Sequence, residues 1–215
     1  WMGPAVAQLQ VQMLDHDGGA FYGDPRCALG SVLDRFAARG WQPVIAVELE
    51  FYLVDVERTA AGHAQPPRSR YTGRRETRTQ VNSMADLESV SDILAAIVAA
   101  CEAQGVPTGA ALAECGPNQW EVNLRHIADA REACDQAIRF KRIVKGVAHA
   151  HGVEATFMAK PYADAPGSGM HLHVSVLDRA GNNVFASDEV LGNDLLKQAA
   201  AGLVETMADG MAIFA

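Results

Sequence analysis

Glu114-Cys115-Gly116-Pro117-Asn118-Gln119-Trp120-Glu121-Val122-Asn123-Leu124 lies in a stretch, Leu112 to Leu124, that reads as two short strands folded about a turn at Gly116-Pro117-Asn118. With Pro117 and Asn118 as the two loop residues, Gly116 faces Gln119, Cys115 faces Trp120 and Glu114 faces Glu121. The two glutamates then share one face of the hairpin. Like charges directly opposed across a strand pair destabilise it, unless a cation or a shared proton stands between them.

Two further stretches repeat that chemistry. Glu48-Leu49-Glu50 lies in a predicted strand from Pro43 to Val56, rich in β-branched and aromatic residues. Alternation along a strand puts Glu48 and Glu50 on one face and Val47, Leu49 and Phe51 on the other. Taken alone, a half-solvated antiparallel sheet accounts for that pattern more simply than a site does. In Met170-His171-Leu172-His173-Val174-Ser175, a second strand places His171, His173 and Ser175 on one face. Three polar residues facing one way suggest a wet cleft. Four glutamates and one histidine fit Mg²⁺ or Mn²⁺ better than structural zinc. Ala165-Pro166-Gly167-Ser168-Gly169 enters that strand as a loop whose glycines let backbone amides approach an anion. On these residues alone a metallohydrolase fits as well as a nucleotide-using enzyme.

The rest of the chain alternates helices and strands without internal repeat. Leu9 to Asp15 reads as a short strand, and Asp24-Pro25 as the cap and first residue of a helix that Gly40 closes, with Leu29, Val32, Leu33 and Phe36 as its apolar stripe. Thr59 to Gln80 carries Pro66-Pro67 and five arginines (Arg68, Arg70, Arg74, Arg75, Arg78). It reads as a solvated loop, with a gate over a substrate as the sharper alternative. Ser83 caps one long helix to Gly105, and Asp129 caps another to Gly152, with Ala133, Ala137, Ile138, Ile143, Val144 and Val147 inward. Glu154 to Lys160 and Met170 to Asp178 are strands, and the chain is mostly helical from Asp188 onward.

The 215 residues hold 18 Lys+Arg against 26 Asp+Glu, a net charge of −8, and are 49% apolar. Such a chain can bury a sizeable core and is not intrinsically disordered. The acidic balance argues against nucleic acid as the main partner, and no apolar run reaches bilayer length. Cys27, Cys101, Cys115 and Cys134 form no CxxC pair and read as reduced, intracellular core thiols. No cation precedes Arg26, so no leader is expected and the expected location is the cytoplasm. The apolar run Met211-Ala212-Ile213-Phe214-Ala215 lacks the polar character of a natural terminus, so both ends read as cuts in a longer protein.

Taken together these stretches resemble the glutamine synthetase family. The resemblance runs through Asp15-His16-Asp17-Gly18, Asp24-Pro25-Arg26, Glu48 to Leu53, Glu114 to Leu124, Ala155 to Pro161, Gly167 to Asp178 (GSGMHLHVSVLD) and Gly181 to Phe185, in family order across nearly the whole chain. It implies an α+β fold: a catalytic domain on a curved antiparallel sheet flanked by helices. Residues 1–20 would be the end of an N-terminal β-grasp region or a linker, with Trp1 near its end. Residues 21–215 would be the front part of the catalytic domain, its C-terminal part missing.

Carried over residue by residue, Glu50, Glu114 and Glu121 match the ligands of one Mg²⁺ or Mn²⁺ ion, and Glu48 and His171 match two ligands of a second. His173, Ser175 and Arg125 match ATP contacts, and Gly167 matches a contact to substrate glutamate. The implied reaction is two-step. The glutamate γ-carboxylate takes the γ-phosphoryl group of ATP, and an amine then displaces phosphate from γ-glutamyl phosphate. Pro166 stands where glutamine synthetases proper usually carry asparagine, and Gly109 where many carry an acidic nucleotide contact. MAKPYADAPGSGMHLHVSVLD is more similar to the γ-glutamylpolyamine ligase branch, whose acceptor is a polyamine in place of ammonia. The implied partners are glutamate, ATP and an amine, within a ring-shaped homo-oligomer. Glutamine synthetase itself and a catalytically silent assembly subunit are the alternatives.

Overall fold

A computed structural model describes residues 6–78 and 81–214, the side chain of Phe214 excepted. Trp1, Thr79, Gln80 and Ala215, which enter the terminal and arginine-loop readings above, lie outside the described residues. In chain order the elements are α1 (Pro25–Ala38), β1 (Gln42–Asp55), α2 (Met84–Ser89), α3 (Ser91–Ala103), β2 (Thr108–Ala113), β3 (Gln119–Leu124), α4 (Ala130–Ala150), β4 (Val153–Thr156), β5 (Met170–Leu177) and α5 (Asp194–Phe214). The strands form one open sheet in the order β2-β3-β1-β4, with β5 also paired to β1. β1 runs antiparallel to both β3 and β4, and β2 antiparallel to β3. The expected α+β arrangement of an antiparallel sheet flanked by helices is therefore present.

The chain divides into two compact units. One comprises the segment up to Val11, Ala46–His126 and Glu132–Leu172; the other comprises Gln12–Ile45, Ile127–Arg131 and the residues from His173 onward. In the first, one sheet face is apolar: Leu49, Phe51, Leu53, Trp120, Val122 and Leu124 are all buried. α4 covers that face through Phe140, whose ring centroid lies 6.4 Å from Phe51 and 6.2 Å from Phe157. The opposite face carries Glu48, Glu50, Tyr52, Gln119 and Glu121, as alternation from an apolar inner face requires.

In the second unit, Asp24 caps α1 by accepting from the Arg26 and Cys27 amides, and Gly40 follows the helix at φ +69°. A left-handed conformation there needs a glycine.

Several local expectations need correction. Leu9 to Asp15 forms no strand, only the bridge Leu14 to Ala20. The helix expected from Ser83 to Gly105 breaks at Val90 (φ −123°), giving α2 and α3. Val90, at φ −123° and ψ 16°, is neither helical nor extended and serves as N-cap of α3 without a side-chain bond. α1 buries none of its residues, so its apolar spacing marks no buried stripe, and Val32 is 46% exposed. On α4, Ile138 faces solvent while Phe140 is fully buried. β4 stops at Thr156, shorter than expected. Of the four cysteines expected in the core, only Cys101 is buried; Cys27 is half-buried, and Cys115 and Cys134 are exposed.

Candidate active site

The hairpin loop is two residues longer than its sequence suggested. Leu112 pairs with Glu121 and Ala113 with Trp120, and the Glu114 amide donates to the Gln119 carbonyl at 2.9 Å. Four residues, Cys115 to Asn118, thus form the loop, with Asn118 in the left-handed region at φ +60°. Glu114 does not stand opposite Glu121. The register moved by two residues, and an even shift preserves faces, so Glu114 and Glu121 still point to the same side. The carboxylates that do stand opposite are Glu50 on β1 and Glu121 on β3.

This crowding makes two overlapping groups. Glu50, Glu114 and Glu121 bring one ligand atom each within 4.8 Å of one another, and so do Glu48, Glu121 and His171. His171 Nδ1 lies 3.4 Å from Glu48 Oε2. Burial pushes the Glu121 carboxyl above the usual range, reinforced by the charges of Glu48, Glu114 and Glu50. Burial also raises Glu114, followed by the charge of Glu50. Glutamates facing one another with an imidazole beside them form the hard oxygen-rich donor set that suits Mg²⁺ or Mn²⁺. A divalent cation would lift the repulsion that raises both groups.

The loop before β5 is tied to this cluster. The Glu50 amide donates to the Gly169 carbonyl at 3.1 Å, and the Gly169 amide donates to Glu50 Oε2 at 3.0 Å. A Cβ at Gly169 would stand 2.9 Å from His171 Nε2 and 3.0 Å from Glu50 Oε1, so a side chain there would push the ends of both groups aside. Gly167 sits against Ala159, whose carbonyl a Cβ there would meet at 2.7 Å. Tyr52 Oη donates to the Pro166 carbonyl at 2.7 Å. Burial holds that phenol at about 12, so it remains a donor at neutral pH.

The remaining expected residues fall in three places. His173 and Ser175 lie on β5 in the second unit, His173 exposed and Ser175 half-buried. Arg125 lies just past β3, its Nε 3.3 Å from the Thr108 carbonyl. Gly109 sits where the β2–β3 register shifts between Thr108 and Ala111. The arginine loop is less free than a solvated loop would be: Arg75 pairs with Asp55 and Glu57, and Arg70 with Asp92. It lines a cavity of about 120 Å³ with Glu114 and Gln119 in its wall. The sequence reading passed over Gln119, a buried amide on the acidic face. Its signal was parity: it alternates in step with Glu121.

Residues 22–215 match the glutamine synthetase catalytic domain. The chain belongs to the glutamine synthetase family. It is 41% identical over 210 residues to gamma-glutamylputrescine synthetase PuuA of Escherichia coli, covering 98% of this chain and 44% of that protein. It is 36% identical over 165 residues to a glutamate–isopropylamine ligase of a Pseudomonas species, covering 77% of this chain and 35% of that protein. Among solved structures, the ADP complex of GmaS superposes with a TM-score of 0.75 at 31% identity, covering 89% of this chain and 42% of that one. The chain thus spans less than half the length of each of these proteins.

Proposed function

We propose that the protein is an ATP-dependent ligase that joins the γ-carboxylate of glutamate to an amine or polyamine through γ-glutamyl phosphate. The observation that carries this reading is the pair of overlapping carboxylate groups, built on a chain of this family. Relatives whose names specify putrescine and isopropylamine support an amine acceptor over ammonia.

In this reading Glu50, Glu114 and Glu121 hold one Mg²⁺ or Mn²⁺ ion, and Glu48 and His171 hold a second, with Glu121 within reach of both. Bound ions supply charge neutralisation at the transferring phosphoryl group. His173, Ser175 and Arg125 contact ATP, and the Gly167 backbone contacts glutamate. Pinning of the loop at Pro166 and Gly169 keeps that backbone in place before substrate arrives, which removes an ordering cost from binding. A γ-carboxylate oxygen then attacks the γ-phosphorus and ADP leaves. The amine nitrogen attacks the acyl carbon, phosphate leaves, and the nitrogen gives up a proton. Residues 1–20 serve as the end of a β-grasp region or a linker and 21–215 as the front of the catalytic domain, in a ring-shaped homo-oligomer of the cytoplasm.

The test is product analysis by mass spectrometry after incubating the full chain with ATP, glutamate, Mg²⁺ and a panel of amines. The expected result is a γ-glutamyl amide in amounts equal to the ADP formed. Failure to form any amide, with ATP still bound, would replace the ligase with an assembly subunit.

A further inference from the structure

We propose that Gln119 is a positioning residue that presents Glu50 to the ion and ties the ion-holding strands to the Pro166–Gly169 loop. The inference rests on reading the acidic cluster as a divalent-cation centre.

Gln119 is 2% exposed, and its amide is fully engaged. Nε2 donates to Glu50 Oε2 at 2.6 Å and to the Gly167 carbonyl at 2.9 Å, while Oε1 accepts from the Gly116 amide at 2.8 Å. Three separate segments therefore meet on one side chain: the acidic strand β1, the loop before β5, and the turn between β2 and β3. Glu50 Oε2 receives a second bond, from the Gly169 amide. With two N–H donors on Oε2, the carboxylate is fixed in rotation and Oε1 is the oxygen left to face an ion.

The residue type matters. A lysine at 119 would bring its own positive charge to Glu50 and compete with a cation. A glutamate would add a fifth carboxylate beside Glu48, Glu50, Glu114 and Glu121, and with it further like-charge repulsion. A neutral amide donates without changing the charge of the cluster. Tyr52, directly opposite Gln119 in the β1–β3 register, holds the neighbouring Pro166 carbonyl but donates to no carboxylate. The two side chains share the loop, and Gln119 alone of the pair also holds Glu50.

The test is Mn²⁺ affinity of the full chain, by electron paramagnetic resonance titration, for wild type, Gln119→Leu, Gln119→Glu and Tyr52→Phe. Circular dichroism and urea unfolding in a chelator establish folding separately. Gln119→Leu is expected to bind Mn²⁺ about 10- to 100-fold more weakly, the usual cost of removing a group that orients a ligand. Gln119→Glu, of the same shape but without the two donated bonds, is expected to show the same direction of loss should the leucine variant fail to fold. Tyr52→Phe is expected to bind as wild type does. Wild-type affinity in a folded Gln119→Leu or tighter binding by Gln119→Glu would overturn the proposal. Equal loss in Tyr52→Phe would overturn it too, by assigning the effect to loop anchoring in general. A wild-type protein that takes up no Mn²⁺ would instead remove the cation-centre reading, and this role with it.

Discussion

At the scale of the residue, Glu121 is the most informative position. It opposes Glu50 across β1 and β3, belongs to both ligand groups, and is raised by burial and three neighbouring carboxylates. In the metal-free protein its charge is a cost, since like charges directly opposed on a sheet are destabilising. Glu121→Gln is therefore expected to leave the metal-free protein as stable as wild type or slightly more so. The same change should remove most of the stabilisation by Mn²⁺, which at a hundredfold excess over Kd is about 2.7 kcal/mol for a single site. Thermal unfolding with and without Mn²⁺ measures both; loss of metal-free stability with an intact Mn²⁺ increment would contradict the assignment.

The pH dependence follows from the same groups. Glu114 and Glu121 have folded-state values above their unfolded ones. Their stabilising contribution is full below the unfolded carboxylate range and is lost as pH rises through the raised folded values. Ion binding requires the deprotonated forms and acts oppositely. The Mn²⁺-induced rise in Tm should thus be larger at neutral pH than at mildly acidic pH, and an increment independent of pH would contradict the ligand roles.

At the scale of the element, the turn between β2 and β3 decides whether the cluster forms. Gly116 packs against Tyr52 so closely that a Cβ would lie 1.9 Å from the hydroxyl, and Tyr52 is fully buried with no room to retreat. Gly116→Ala is expected to lower stability by about 1–3 kcal/mol, as overpacking does, read as a lower urea midpoint at unchanged slope. An unchanged midpoint would mean that the turn is not held against Tyr52.

The faces of these strands were legible in the sequence because alternation is a local property: Glu48 and Glu50 on one side, Leu49 and Phe51 on the other. Register was not. Nothing in Gly116-Pro117-Asn118 announces a four-residue loop, and only the left-handed Asn118 and the bond from Glu114 to Gln119 select it. The site survived the error because the shift was even. Gln119 escaped notice because a neutral amide carries no motif, and its value lies in contacts with residues far away in sequence. The break at Val90 escaped because the apolar spacing continues across it, with Val90, Ile93, Leu94 and Ile97 all buried.

At the scale of the molecule, one antiparallel sheet serves two purposes. Its apolar face packs on α4 and its acidic face gathers the ligand groups, so the core holds the carboxylates in a mutual repulsion that a cation relieves without protonating them. Among the described residues no helix is long and apolar enough to cross a membrane. α1 buries no residue, and α5 exposes Leu203, Val204, Met207 and Ile213. The chain covers 44% of the Escherichia coli relative, so activity is a property to be measured on the full chain. The most direct measurement is the initial rate of ADP release with glutamate, ATP and Mg²⁺, comparing putrescine, spermidine and simple monoamines with ammonium. The account predicts release that depends on both glutamate and amine and is faster with an amine or polyamine than with ammonium, giving Pro166 a part in acceptor choice. Release that prefers ammonium would make the protein a glutamine synthetase, and release indifferent to any amine would contradict the ligase itself.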